Sequence, residues 1–215
     1  MTANAAWAEL SEPWRACIEE AWASWCRGSA GVGAVIVDGD DRIVARGRNR
    51  RHDAAPGGVS LAGTRLAHAE MCALAALPPG SCEHYTLYTS FEPCIMCASA
   101  ILVAHIPRVR YAATDPLFDG LHDWFGVLPF AADRRPERAC LAGPVGAFAH
   151  VLHLSWLAFW FPDGLAIRAH DAAAPRHLAL AAGLVARSSL PALAARQRPV
   201  VDAIAALWDD LVTLG

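Results

Sequence analysis

Two short segments carry side chains that could bind a metal ion together. LAHAE (66–70) supplies an imidazole and a carboxylate, and EPCIMC (92–97) supplies two thiols. Two thiolates and one imidazole form a soft donor set that suits zinc. Because His68, Cys94 and Cys97 are only three protein ligands, one coordination position stays open, which is typical of a catalytic zinc. That position is expected to hold a water molecule whose pKa the metal lowers.

Both segments are predicted to begin a helix. Cys94 and Cys97 are three residues apart and share a helical face, and the helix dipole at this end lowers the pKa of a thiol. If the two helices flank one another on one sheet face, their N-termini meet. Glu70 is then placed to take a proton from water and pass it to a departing amine. The alternative is a solvated carboxylate in the first turn, a position that acidic residues favour anyway.

The predicted elements follow the order α-β-β-α-β-α-β up to about residue 115. Strands separated by helices indicate an α/β fold with parallel pairing in its later half. A long loop over 50–64 has a length typical of a lid. The pattern after Asp115 is helical, so we expect one domain over 1–120 and a helical extension packed on it over 121–215. The predicted helices cover 5–26, 65–77, 94–104, 146–161, 174–187 and 199–214, and the predicted strands 32–37, 43–49, 85–89 and 109–113.

Composition argues against a polynucleotide-binding protein. The net charge is −3, whereas proteins that grip a nucleic-acid backbone usually present a basic face. The arginines between Arg42 and Arg51 are expected to form a solvated face, with phosphate binding as the alternative. No signal peptide is apparent, and the apolar run 147–161 is too short to span a bilayer comfortably. We expect that run to cover the pocket or to form a subunit interface. We therefore expect a cytoplasmic protein whose cysteines serve thiol or metal chemistry.

The pattern His-Ala-Glu followed by Pro-Cys-x-x-Cys resembles the cytidine deaminase superfamily, which includes CMP/dCMP, guanine and tRNA-adenosine deaminases. The likeness covers roughly residues 32–115. It implies a three-layer α/β/α sandwich with a mixed sheet, a Zn²⁺ cofactor and a homodimer. It also implies that His68, Cys94 and Cys97 are the zinc ligands and that Glu70 is the proton shuttle. Asn49 and the main-chain amide of Ala69 would contact the substrate.

Several other residues have simpler interpretations. Asn49 could merely end a strand. Cys72, four residues after His68, is expected to be a small buried apolar residue rather than a ligand. His150 and His153 are expected to be hydrogen-bonded core histidines, and Asp115 a local cap or loop anchor.

The sequence thus predicts a zinc-dependent hydrolytic deaminase that releases ammonia from a nucleobase, a nucleoside or a related small aminated heterocycle. The charge argument favours such a small molecule over a polynucleotide. Two alternatives stay open: a tRNA adenosine deaminase, and a zinc-stabilised scaffold without activity. The base that is deaminated depends on pocket shape and exocyclic contacts, which the motifs do not specify.

Overall fold

A mixed sheet of five strands forms the centre of the protein in the computed structural model, which describes residues 1–54 and 60–215. Its spatial order is β2-β1-β3-β4-β5. β1 runs antiparallel to β2 and β3, while β3, β4 and β5 are mutually parallel. This arrangement confirms the predicted α/β class with parallel pairing in the later half. The strands are β1 (Gly33–Val37), β2 (Ile43–Arg48), β3 (Thr86–Thr89), β4 (Arg108–Tyr111) and β5 (Glu137–Cys140).

Helices surround this sheet and make up most of the C-terminal part. A 3₁₀ turn spans Pro116–Phe118. In chain order the helices are α1 (Ala3–Glu9), α2 (Glu12–Cys26), α3 (Ala69–Ala75), α4 (Ile95–Val103), α5 (Leu121–Phe125), α6 (Pro129–Ala132), α7 (Pro144–Trp160), α8 (Leu165–Ala173), α9 (Pro175–Ala186), α10 (Ser189–Ala195), α11 (Val200–Ala206) and α12 (Trp208–Leu214).

Two glycines reveal how closely helices pack on opposite faces of the sheet. A Cβ at Gly33 would lie 2.3 Å from the Cys17 carbonyl oxygen in α2. A Cβ at Gly47 would lie 2.3 Å from the Ala69 carbonyl oxygen in α3. Gly47 pairs with Ala34, the residue after Gly33, and successive residues of a strand point to opposite faces. The two helices therefore cover opposite faces of the sheet, as the expected three-layer sandwich requires.

The structure corrects three predicted element boundaries. The helix predicted over 5–26 is two helices, because Ser11 takes an extended conformation as the N-cap of the second one, whose first turn contains Pro13. The helix predicted over 65–77 starts only at Ala69, since His68 is its extended N-cap residue. The helix predicted over 199–214 is interrupted at Leu207.

The segment after residue 120 is not purely helical, which corrects a further expectation. It supplies β5, an exposed edge strand that pairs with β4. An edge strand needs no continuous apolar run, so its polar sequence gave no strand signal. The division of the chain at residue 120 remains a prediction, and β5 lies beyond it.

Helix α7 anchors the C-terminal part. Twelve of its residues are buried, and α9, α12 and α2 pack against it. Among the described residues, none of the helices taken singly has the length and apolar composition to span a membrane, although α9 and α10 together, bent by 59°, meet both criteria. The loop predicted over 50–64 is irregular where it is described, and its residues 55–59 lie outside the described part.

Candidate active site

The structure brings the three predicted metal ligands together. His68 is the N-cap residue of α3, Cys94 is the N-cap residue of α4, and Cys97 lies in the first turn of α4. The Nδ1 atom of His68 lies 3.6 Å from Cys94 Sγ and 3.5 Å from Cys97 Sγ. The two Sγ atoms are 3.7 Å apart. In the described residues, this is the group of His, Cys, Asp and Glu side chains that could hold a metal ion.

These distances match the edges of a zinc coordination tetrahedron. With Zn–S bonds of about 2.3 Å and Zn–N bonds of about 2.0–2.1 Å, a tetrahedral site places sulfurs about 3.8 Å apart and nitrogen about 3.6 Å from sulfur. The observed spacings therefore fit zinc without rearrangement of the ligands. Cys72 is not part of the group, and it is half-buried rather than buried as predicted.

The ionisation of the two thiols is linked. Hydrogen bonding from the Cys97 side chain lowers the pKa of Cys94 to about 4, against the effect of burial. The same hydrogen bond, together with burial, raises the pKa of Cys97. Hydrogen bonding with Cys94 raises the pKa of His68, because the neighbouring thiolate stabilises the protonated imidazole. A thiolate at Cys94 is therefore available as a metal ligand at neutral pH.

Glu70 lies beside this group and is almost completely buried. Its Oε2 is 3.4 Å from Cys97 Sγ, and its Oε1 accepts a hydrogen bond from Thr89 Oγ1 at 3.1 Å. Burial raises the pKa of the Glu70 carboxyl group. Glu70 is thus not the solvated carboxylate that was the alternative interpretation.

A cavity of about 300 Å³ opens onto the donor group. Its lining includes His68, Glu70 and Cys94 together with Asn49 and Ala69, the two predicted substrate contacts. Asn49 is buried, and its Oδ1 accepts a hydrogen bond from the main-chain N–H of Arg51. Its Nδ2 donates no hydrogen bond to the described residues.

The far side of the cavity is lined by residues from beyond the catalytic motifs. Leu117 and Phe118 come from the 3₁₀ turn, and His153, Trp156 and Leu157 come from α7. The sequence predicts that the run 147–161 covers the pocket or forms a subunit interface, and the α7 side chains do line the cavity, but no individual side chain of α7 or of the 3₁₀ turn is predicted to line it. Their helical and apolar patterns are the same as those of ordinary core residues, so no local signal distinguishes them.

Three arginines of the run 42–51 are paired with neighbouring carboxylates. Arg42 pairs with Asp38 and Asp40 at the turn between β1 and β2. Both Arg48 and Arg50 pair with Asp53. Arg46 is exposed and Arg51 lines the cavity, and neither is in an ion pair with another described residue. The predicted solvated face is therefore only partly a set of ion pairs, and Arg51 leaves a guanidinium group at the cavity wall.

Hydrogen bonding decides three further expectations. Asp115 is confirmed as a local cap, because its side chain accepts from the Leu117 N–H at 3.0 Å. His150 is confirmed as a hydrogen-bonded core histidine through His170, at 3.1 Å. The expectation for His153 is wrong, since its Nδ1 is buried without a partner in the part of the chain that the structure describes.

Comparison with known proteins agrees with this geometry. Residues 9–113 match the model of the cytidine and deoxycytidylate deaminase zinc-binding region. A tRNA-specific adenosine deaminase of Streptococcus pyogenes serotype M18 is 33% identical over 115 residues, 52% of this chain and 67% of the relative. The serotype M1 protein of the same description is also 33% identical, and this chain spans 62% of its length. A cytosine deaminase of Candida albicans is 32% identical over 98 residues, 43% of this chain and 58% of the relative.

Solved structures share the fold. The protein NE0047, solved in complex with 2,6-diaminopurine, superimposes with a TM-score of 0.50 at 21% identity, covering 73% of this chain and 85% of NE0047. That likeness concerns the fold, whereas the family-model match includes the residues of the donor group. This chain belongs to the cytidine and deoxycytidylate deaminase zinc-binding family.

Proposed function

We propose that this protein is a hydrolytic deaminase that removes an exocyclic amine from a nucleobase, a nucleoside or a related small heterocycle. The observation that carries this proposal is the donor group of His68, Cys94 and Cys97, spaced for zinc, with the buried carboxylate of Glu70 beside it and a cavity in front. Zinc bound to these three residues would supply Lewis-acid activation of water.

Glu70 moves the protons in this proposal. Its carboxylate takes a proton from the attacking water at one oxygen and delivers it to the departing amine, first as general base and then as general acid. Burial raises the pKa of its carboxyl group, which suits a group that must both accept and release a proton. Thr89 Oγ1 lies 3.1 Å from Glu70 Oε1 and 3.0 Å from the Phe91 carbonyl oxygen. Its hydroxyl can therefore donate to Glu70 when the carboxylate is ionised, and to the Phe91 carbonyl oxygen when Glu70 is protonated.

The surroundings of the cavity support a small substrate. Side chains of α7 and of the 3₁₀ turn line its far side, and its volume suits a single heterocyclic ring system. Arg42, Arg48 and Arg50 are engaged by carboxylates, which leaves Arg51 as the arginine that lines the cavity among the described residues. We assign substrate binding to the Asn49 amide and to the main-chain N–H of Ala69.

A tRNA adenosine deaminase is the second candidate, because the S. pyogenes relatives carry that description. It requires an RNA path to the cavity past the α7 side chains. A scaffold in which Glu70 is idle is the third. Affinity for an anticodon stem-loop that falls steeply with salt concentration would favour the second candidate.

An ammonia-release screen of the zinc-loaded protein tests the proposal. Free bases, nucleosides, nucleotides, pterins, triazines and an adenosine-containing anticodon stem-loop are compared at equal concentrations. We expect turnover of at least one small heterocycle and none of the stem-loop. Turnover of the stem-loop alone would replace the first candidate with the second.

Self-association and location are separate expectations. We propose a homodimer, and the exposed apolar side chains of Trp124, Val127 and Phe130 around α5 and α6 offer a surface for it. The alternative use of the run 147–161 as a subunit interface has less support, because most of α7 is buried within the chain. Light scattering in solution tests the dimer, and a monomer would refute it. The cytoplasmic location remains a prediction.

A further inference from the structure

The cavity contains a histidine that the deamination chemistry does not use. His153 lies on α7 and lines the cavity together with His68 and Glu70. Its ring packs on Phe91 with the centroids 4.2 Å apart, and Trp156 stacks more distantly at 6.5 Å. The imidazole is therefore held in place by aromatic neighbours at the wall of the cavity.

One nitrogen of this ring is unsatisfied. His153 Nδ1 is enclosed and has no hydrogen-bond partner in residues 1–54 and 60–215. Leaving a buried polar atom unpaired costs about 1–3 kcal/mol, so folded proteins rarely keep one without a reason. His170 Nε2 is also unsatisfied, but Asp115 Oδ1 lies 3.7 Å away. Within the described residues, no carboxylate lies at ion-pair distance from His153.

The protonation of the ring follows from this environment. Burial, with smaller contributions from His170 and His68, lowers the pKa of His153 to about 3, so the imidazole is neutral. A neutral imidazole carries one N–H and one lone pair. A buried N–H without an acceptor loses its hydrogen bond to water, which disfavours the proton on Nδ1. With the proton on Nε2, the ring has one donor available for a ligand.

We infer that His153 is a specificity-determining substrate contact whose Nε2–H donates to a ring nitrogen or carbonyl oxygen of the heterocycle. The inference rests on the proposed function and deepens it. Together with the Asn49 amide, it makes the cavity selective for heterocycles that present acceptor atoms away from the reacting amine. His153 lies outside the family-model match of 9–113, so this contact is a property of the C-terminal part of the chain.

Three variants separate this role from a structural one. His153→Phe keeps an aromatic ring against Phe91 and removes both nitrogens. His153→Gln keeps an amide donor near the position of Nε2. His177→Phe is the matched control. The His177 ring packs on His150, and it is not among the described residues that line the cavity. Zinc content, melting temperature and steady-state kinetics are measured for each, using the heterocycle that the wild type turns over fastest in the ammonia-release screen.

We expect His153→Phe to lower kcat/KM about 10–100-fold, mainly through KM, while zinc content is unchanged and the melting temperature is unchanged or higher. His153→Gln should recover most of that loss, and His177→Phe should stay close to wild-type kinetics. Wild-type kcat/KM in His153→Phe, or a loss that Gln does not recover, would overturn the inference while the proposed function stands. A wild type that releases no ammonia from any compound would overturn both.

Discussion

Replacing Gly47 by alanine should displace His68 and Glu70, although Gly47 itself does not line the cavity among the described residues. Gly47 lies on β2, where α3 packs directly against the strand. An added Cβ would lie 2.3 Å from the Ala69 carbonyl oxygen and 2.4 Å from the Ala73 amide nitrogen. Both atoms are backbone, so no side-chain rotation can relieve the clash. Helix α3, which carries His68 and Glu70 at its N-terminus, must therefore move away from the sheet.

The size of the effect follows from these distances. Ordinary contacts of this kind are about 3.5 Å, so α3 has to shift by about 1 Å. Overpacking of this type costs about 1–3 kcal/mol of unfolding free energy. A misplacement of about 1 Å at a reacting centre costs on the order of 100-fold in rate. Gly47→Ala should therefore lower kcat/KM on the order of 100-fold, about 2.7 kcal/mol of transition-state stabilisation, beside a loss of unfolding free energy of similar size.

Gly33→Ala provides the matched control. Its Cβ would meet the Cys17 carbonyl oxygen at 2.3 Å and the Ala21 amide nitrogen at 2.4 Å, both in α2, which carries no donor residue. Urea denaturation and ammonia-release kinetics are compared for the two variants. We expect similar losses of stability and a much larger loss of kcat/KM for Gly47→Ala. Equal kinetic losses would refute the argument that α3 transmits the effect.

Other predictions concern the proton shuttle, the histidine cluster and the metal. Thr89→Val removes the hydroxyl that donates to Glu70 and should lower kcat about 10-fold at unchanged zinc content. An unchanged kcat would contradict the role of this hydrogen bond in the proton transfer. Burial lowers the pKa of His150 to about 3. The contribution of this group to the unfolding free energy is therefore fully present above about pH 6.5 and falls by about 2 kcal/mol at pH 5. His150→Phe should remove that loss in urea denaturation at pH 5 and 7, and an identical pH dependence in both proteins would refute the assignment. Chelation of zinc should lower the melting temperature reversibly; a chelator-insensitive melting temperature would argue against the metal at His68, Cys94 and Cys97.

The donor group was predictable because its information is local. His68 precedes a helix, and Cys94 and Cys97 occupy the start of another, so spacing and helix polarity alone indicate a common end of the two helices. The apolar run of β1 likewise indicates a buried strand, and β3 is buried at three of its four positions, whereas β4 is buried only at Val109. The sequence therefore predicts the α/β core and its metal chemistry together.

The rest of the cavity depends on contacts between distant parts of the chain. Thr89 supports Glu70 only because β3 passes beneath α3, and His153 reaches the cavity only because α7 packs over the sheet. Neither residue differs in local pattern from a core residue. The edge strand β5 was missed for a related reason: its position at the sheet margin imposes no apolar periodicity.

The most direct test of the central claim is the Glu70→Gln variant, which keeps the shape of the side chain but removes its capacity to carry a proton. Zinc content and ammonia release are measured on the same preparations of the wild type and the variant, with the heterocycle that the wild type turns over fastest. We expect wild-type zinc content and a loss of kcat on the order of 10²–10⁴-fold. A zinc-loaded Glu70→Gln variant that releases ammonia at the wild-type rate would contradict the account.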